Sequence, residues 1–206
     1  RAGAVQATVS AGGFAFASKW QRPFRRMKVR AEIREPRTRM TPLEWAGRSG
    51  FLDGPDRVRL EGLGGKLLEE RENPRRLFPG GRRMLWWDRL DQVYFSGYAL
   101  WNYLAFPALL LREDIAWTEP APGTLEARFP PHLPTHSERQ RFHFDRATGL
   151  LLQHDYTAEV FGGWAKAANV VLAHGDADGV PYPSRRRVTP RAADGRPRGF
   201  PVLVWI

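Results

Sequence analysis

Three stretches of this sequence carry side chains able to hold a charge or move a proton beside apolar neighbours. In LLLQHDYTAEV (150–160), period-two alternation puts Leu150, Leu152, His154, Tyr156, Ala158 and Val160 on one face. Leu151, Gln153, Asp155, Thr157 and Glu159 fall on the other. In YPSRRRV (182–188), Tyr182, Ser184, Arg186 and Val188 share a face, with Arg185 and Arg187 opposite. His154, Tyr156 and Arg186 are therefore expected to point inward. A buried Arg is costly unless it meets a carboxylate, such as Asp91 or Asp88, or a ligand anion. His154 can equally be a core histidine bonded to a backbone carbonyl, and Tyr156 a core residue with its hydroxyl tied off.

The third stretch is DQVYFSGYALWNY (91–103), rich in large rings with polar tips. Its period is helical from Asp88 to Phe106. Leu90, Val93, Gly97, Leu100 and Leu104 fall on one side, and Asp91, Tyr94, Tyr98, Trp101 and Asn102 on the other. Asp88 can cap the start, and Pro107 ends the run. A face of Tyr, Trp and Asn suits a cavity or a cover better than open water. His154, Asp91 and Tyr98 are the candidate acid–base groups. Tyr94, Trp101, Asn102, Tyr156 and Arg186 are the candidate ligand contacts.

Other chemical signatures are missing. There is no G-x-S-x-G, H-E-x-x-H or Walker-type loop. GLGGK (62–66) joins two strand-like runs and reads as a hairpin turn. His132 and His136 flank Pro134 in a loop without paired carboxylates beside them, which gives no basis for a metal site. No cofactor is expected. The chain has no cysteine, which excludes disulfides, thiolate chemistry and Cys-bound zinc.

The elements that must position these residues are mostly strands. MKVRAEIR (27–34), RVRLE (57–61) and TLEARF (124–129) alternate strictly, as half-buried antiparallel strands do. EPR (35–37), LDGPD (52–56), GLGGK and RATGL (146–150) are reversals. About ten strands are expected after merging among the spans 4–10, 13–18, 24–34, 37–43, 56–61, 66–71, 112–118, 124–129, 139–145, 150–160, 164–174, 183–190 and 200–206. The fold class is mainly β: a curved antiparallel sheet or half-open β-barrel wrapping one helix near 88–106. With 206 residues and no repeat or long linker, residues 1–206 read as one domain.

The net charge of +10 comes almost wholly from Arg, since Lys occurs only at 19, 28, 66 and 166. The Arg residues are spread along the chain and face away from the aromatics, which argues against nucleic acid as a partner. Contact with an anionic membrane surface remains open. No apolar run approaches the ~20 residues of a transmembrane helix. The sequence begins at Arg1 without Met, which leaves room for a removed leader; cytoplasmic location is the default expectation. The oligomeric state is not legible.

A run of antiparallel strands around one helix, followed by the hairpin FD…TGLL…DYT (144–157), resembles the lipoprotein-carrier fold (LolA/LolB/VioE-like). That group includes a periplasmic lipoprotein carrier, its outer-membrane receptor and a violacein-pathway enzyme. YFSGYALWNYLAFP (94–107) and PSRRRVTPR (183–191) also resemble a bacterial family with a YFxGYxxWNY helix motif and no assigned activity. The chain lacks the acylated Cys of the receptor and shows no signal peptide like that of the carrier. The resemblance implies a half-barrel around an apolar cavity, used in some members for acyl chains and in one for cofactor-free chemistry on an aromatic substrate. The functional expectation is binding of a hydrophobic small molecule, aromatic, polyketide-like or lipid-like, in that concavity. The alternative is a cofactor-independent cyclase, isomerase or lyase that uses His154, Asp91 and Tyr98 in the same place. A third reading is a basic surface that docks on membrane or nucleic acid.

Overall fold

The structure, a computed structural model, describes residues 3–43 and 47–206. Among them, six strands form one antiparallel meander: β1 (Ala4–Ala11), β2 (Phe24–Glu32), β3 (Arg37–Thr41), β4 (Ser49–Asp53), β5 (Arg57–Glu61) and β6 (Leu67–Glu72). Seven more form a second: β7 (Ala116–Ala121), β8 (Thr124–Arg128), β9 (Arg139–Phe144), β10 (Leu151–Thr157), β11 (Lys166–Ala177), β12 (Val180–Pro190) and β13 (Val204–Trp205). Two α-helices occur, α1 (Phe14–Ala17) and α2 (Arg89–Ala105).

Alternation sets the inward faces as expected. Met27, Val29 and Ala31 of β2, Val58 and Leu60 of β5, and Ala127 of β8 are buried. Both sheets end on a shared seam. The Gly12 N–H donates to the Trp205 carbonyl at 3.1 Å, the Trp205 N–H donates back at 2.8 Å, and the Ala15 N–H donates to the Leu203 carbonyl at 2.9 Å. β1 and β13 therefore meet, while β6 and β7 are outer strands and the two sheets do not close into a barrel. In chain order α2 connects those two outer strands, and it lies inside.

Every residue of α2 except Arg89 and Leu104 is buried. Its start is a reciprocal cap: the Asp91 N–H donates to Asp88 Oδ1 at 2.8 Å and the Asp88 N–H to Asp91 Oδ2 at 3.1 Å. Gly97 lets the helix approach the first sheet, since a Cβ there would stand 2.9 Å from Leu52 Cβ and 3.1 Å from Thr38 Oγ1. The opposite side of α2 faces the second sheet and the 130–137 loop. One apolar cluster joins the first sheet to Val93, Tyr94, Phe95 and Tyr98. A second joins Trp101, Ala105 and Phe106 to Ala127, Phe129, Phe142 and Leu151.

Four strand readings change. The 13–18 span is a single helical turn, α1, which seats Phe16 edge-on to Phe24 at 5.4 Å and Phe95 at 6.3 Å. β4 is an additional strand; its signal is diluted by Gly50, where a Cβ would meet Val93 Cγ2 at 2.8 Å. The 200–206 span keeps only β13 as strand. In β10 the register shifts between Leu151 and Gln153, so Leu151 is buried and Leu152 is 46% exposed, the reverse of strict parity. His154 and Tyr156 still point inward because the shift precedes them.

Candidate functional site

Under the second side of α2, aromatic and polar groups meet around His136. Tyr94 and Tyr98 are one helical turn apart, and their rings meet at 5.2 Å. Tyr103 projects further along the helix towards β10 and β12. The 130–137 loop is pinned from within: Thr135 Oγ1 donates to the Ser137 carbonyl at 2.9 Å, Ser137 Oγ to the Arg139 carbonyl at 2.8 Å, and the Glu159 N–H to the His136 carbonyl at 3.2 Å. These bonds hold the His136 ring flat on Tyr156, with centroids 3.8 Å apart and planes at 6°.

A continuous hydrogen-bonded chain results. The Tyr98 hydroxyl lies 3.4 Å from His136 Nδ1, His136 Nε2 lies 2.9 Å from the Tyr103 hydroxyl, and that hydroxyl lies 3.0 Å from the Tyr156 hydroxyl. Burial, aided by the Arg75 charge, pushes His136 down to about 3, so the ring is neutral. Burial also raises Tyr103, Tyr98 and Tyr156, the last two well above the usual tyrosine range, so all three keep their protons. A neutral imidazole offers one donor and one acceptor. One flanking tyrosine must therefore donate to it and the other accept. Towards the surface the chain approaches Arg75, which donates to the Thr135 carbonyl at 3.2 Å and pairs with Glu159. Tyr94 stacks on Phe78 and is pushed up to about 12 by burial, against the pull of Arg75.

His154 sits deeper, stacked on Phe142 at 4.2 Å. Gln140 donates its amide N–H to the Ser137 carbonyl at 2.9 Å, which turns Gln140 Oε1 towards His154 Nε2 at 2.6 Å. His154 therefore donates from Nε2, and burial pulls it well below the ordinary histidine range. Its cross-strand neighbour on β11 is Asn169, which in turn faces Val188 on β12. Arg186 lies two residues from Val188 on the same face. It is 4% exposed, and its guanidinium carbon sits 4.7 Å from the Tyr103 ring centroid. Burial lowers Arg186 to about 10, which leaves it charged at neutral pH.

Neither carboxylate expected as a partner reaches Arg186. Asp91 is enclosed by Arg71 at 2.7 Å, Arg82 at 2.8 Å and Arg83 at 2.7 Å, and Asp88 pairs with Arg71 and Arg82. Among the described residues Arg186 has no ion-pair partner, and its Nη1 has no hydrogen-bond acceptor. The Asn102 Oδ1 is also without a partner, while buried Asn169 lies within reach of the Tyr103 hydroxyl. Asn102 Nδ2 donates to the Tyr98 carbonyl at 2.8 Å and the Pro134 carbonyl at 3.2 Å.

The structure thus brings together Tyr94, Tyr98, Asn102, His154, Tyr156 and Arg186. It sets Asp91 apart at the start of α2. Trp101 also lies apart: its indole donates to the Glu32 carbonyl at 2.7 Å, inside the second apolar cluster. Sequence reasoning missed His136, Tyr103, Gln140 and Asn169. Asn169 was findable, because AANVV places it on the parity of Ala167 and Val171. His136 gave no such signal, being in an irregular loop.

Side chains of α2 pack against both sheets in the two apolar clusters. A separate groove of about 310 Å³ lies across the outer face of the second sheet, lined by Glu126, Arg139, Arg141, Asp155 and Arg191 among others. Among the described residues, no three His, Asp or Glu side chains are grouped to hold a metal ion.

Comparison with protein-family models and with curated proteins finds no match. Among solved structures, a DUF1329 family protein from Desulfovibrio piger is similar at 14% identity, over 91% of this chain and 76% of that one, with a TM-score of 0.46.

Proposed function

We propose that this protein binds a small apolar molecule with an anionic end between α2 and the second sheet. The observation that carries this reading is Arg186: a buried, charged guanidinium without a carboxylate, facing the ring of Tyr103. Leaving a charge so placed without a counter-ion is expensive, and a ligand carboxylate or phosphate supplies one. Asn102 Oδ1 offers a further unused polar atom for orientation. The rings of Tyr98, Tyr103 and Tyr156 supply apolar contact area. Entry requires α2 and β12, which bears Arg186, to part, since these side chains are buried.

Decanoate and decanol make a direct test, because they share a tail and differ in charge. Decanoate is expected to raise the melting temperature and decanol to leave it nearly unchanged. Arg186→Gln should abolish the difference. Equal responses to both compounds, or a decanoate response that survives in Arg186→Gln, would refute the reading. Native mass spectrometry of the purified protein would then identify any natural occupant.

A second reading rests on the Tyr98–His136–Tyr103–Tyr156 chain. Such a chain can pass a proton along its length, which suits cofactor-independent isomerisation, cyclisation or elimination. For an occupant identified by mass spectrometry, this reading requires His136→Phe to cut turnover by ~10²-fold or more with binding retained.

A further inference from the structure

One rim of the molecule exposes large apolar side chains on a firmly held base. Trp20 is 85% exposed, Trp164 80%, Leu85 73% and Met84 68%. They project from three loops that converge on Lys19. Its Nζ donates to the Arg83 carbonyl at 3.0 Å and the Met84 carbonyl at 2.6 Å, and sits 5.3 Å from the Phe161 ring centroid. Below them Trp87 packs on Phe161 at 4.9 Å and on Phe95 at 5.1 Å. Trp20 itself has φ 61°, a left-handed conformation unfavourable for a bulky residue, and the surrounding turn holds it there. These are fixed projections rather than frayed ends.

A basic face adjoins this rim. β2 begins four residues after Trp20, and its outward residues Arg26, Lys28 and Arg30 are exposed. Arg30 stands directly across from exposed Arg39 of β3, a like-charge pairing that costs stability in a sheet. Neither has an ion-pair partner among the described residues, although Arg39 lies 5.5 Å from the Phe51 ring.

We propose that this rim and face dock on an anionic lipid bilayer. Trp and Leu tips suit the interfacial region, and unpaired Arg and Lys suit acidic headgroups. No helix is long and apolar enough to cross a membrane, so the attachment inferred here is interfacial. Nucleic acid fits less well, because the exposed Trp residues stand at the rim instead of between the basic side chains.

Sedimentation with vesicles tests this. Vesicles containing phosphatidylglycerol should retain the protein at least about tenfold better than phosphatidylcholine alone, and added salt should erase the difference. Lys28→Glu/Arg30→Glu/Arg39→Glu should remove the lipid selectivity. Trp20→Ser/Leu85→Ser/Trp164→Ser should weaken retention by about tenfold or more. These positions are exposed, so both variants should keep the parent's circular dichroism and melting temperature. Equal retention by both vesicle types, no retention, or tighter binding to a single-stranded RNA than to the acidic vesicles would overturn the proposal.

Discussion

Arg186 and His136 both contact Tyr103, and burial acts on them with opposite outcomes. Arg186 stays charged at neutral pH, whereas His136 is held neutral. The histidine makes stability depend on pH. Its unfolded form takes up a proton near 6.5 and its folded form only near 3. Between those values the unfolded state binds more protons, so stability is full above about 6.5 and falls as pH drops through that window. His154 adds to the same trend. Asp88, held down to about 2 chiefly by Arg71 against its own burial, contributes only below about 4. Urea titrations should therefore show stability declining from pH 6.5 to pH 4, with a shallower decline in His136→Phe. A flat profile in the parent protein would contradict the buried neutral ring. Parity alone pointed His154, Tyr156 and Arg186 inward, since each lies where the alternation of its strand is kept. It was silent on His136, whose direction is set by hydrogen bonds within an irregular loop.

The element that organises everything is α2, and two of its residues do most to place it. Gly97→Ala should add about 1–3 kcal/mol of overpacking, because the added methyl meets Leu52 Cβ and Thr38 Oγ1. Set against the ~1 kcal/mol gained from Ala as the better helix former, a net loss of up to about 2 kcal/mol is expected. Thermal melts decide it; an unchanged or higher melting temperature would mean that the helix can shift. Asp91→Ala should cost on the order of 3–5 kcal/mol, since it leaves Arg71, Arg82 and Arg83 around a missing buried counter-charge. Calorimetry would measure this loss, and Asp91→Asn should recover part of it by retaining the cap. The helix was legible nearly to the residue, with 88–106 expected and Arg89–Ala105 observed. Its aromatic face suited a cavity or a cover, and Tyr94 and Tyr98 meet Phe78 and His136 there. The bulge in β10 was not legible, since an inserted residue leaves the composition of a strand unchanged.

At the scale of the whole molecule, two meanders share one helix and one seam. The first sheet alone leaves half of α2 uncovered, and so does the second. Unfolding should therefore be a single transition, with far-ultraviolet circular dichroism and tryptophan fluorescence melts that coincide. Separate midpoints would show that one sheet survives without the other. The strand count rose from about ten to thirteen. Short strands such as β13 are held by their neighbours, and their own sequence carries little pattern.

The Gly12–Trp205 seam has a kinetic consequence. Among the described residues, every strand ladder in both sheets joins strands that follow one another in the chain, so hairpins can form locally as the polypeptide grows. The seam waits until β13 has been made. During synthesis the first sheet and α2 emerge together, before β9 to β12 exist to cover Tyr98 and Tyr103. For that interval the nascent chain presents an aromatic helix face to water. The interval is its period of greatest exposure to misassociation, and it ends only when the second sheet is complete.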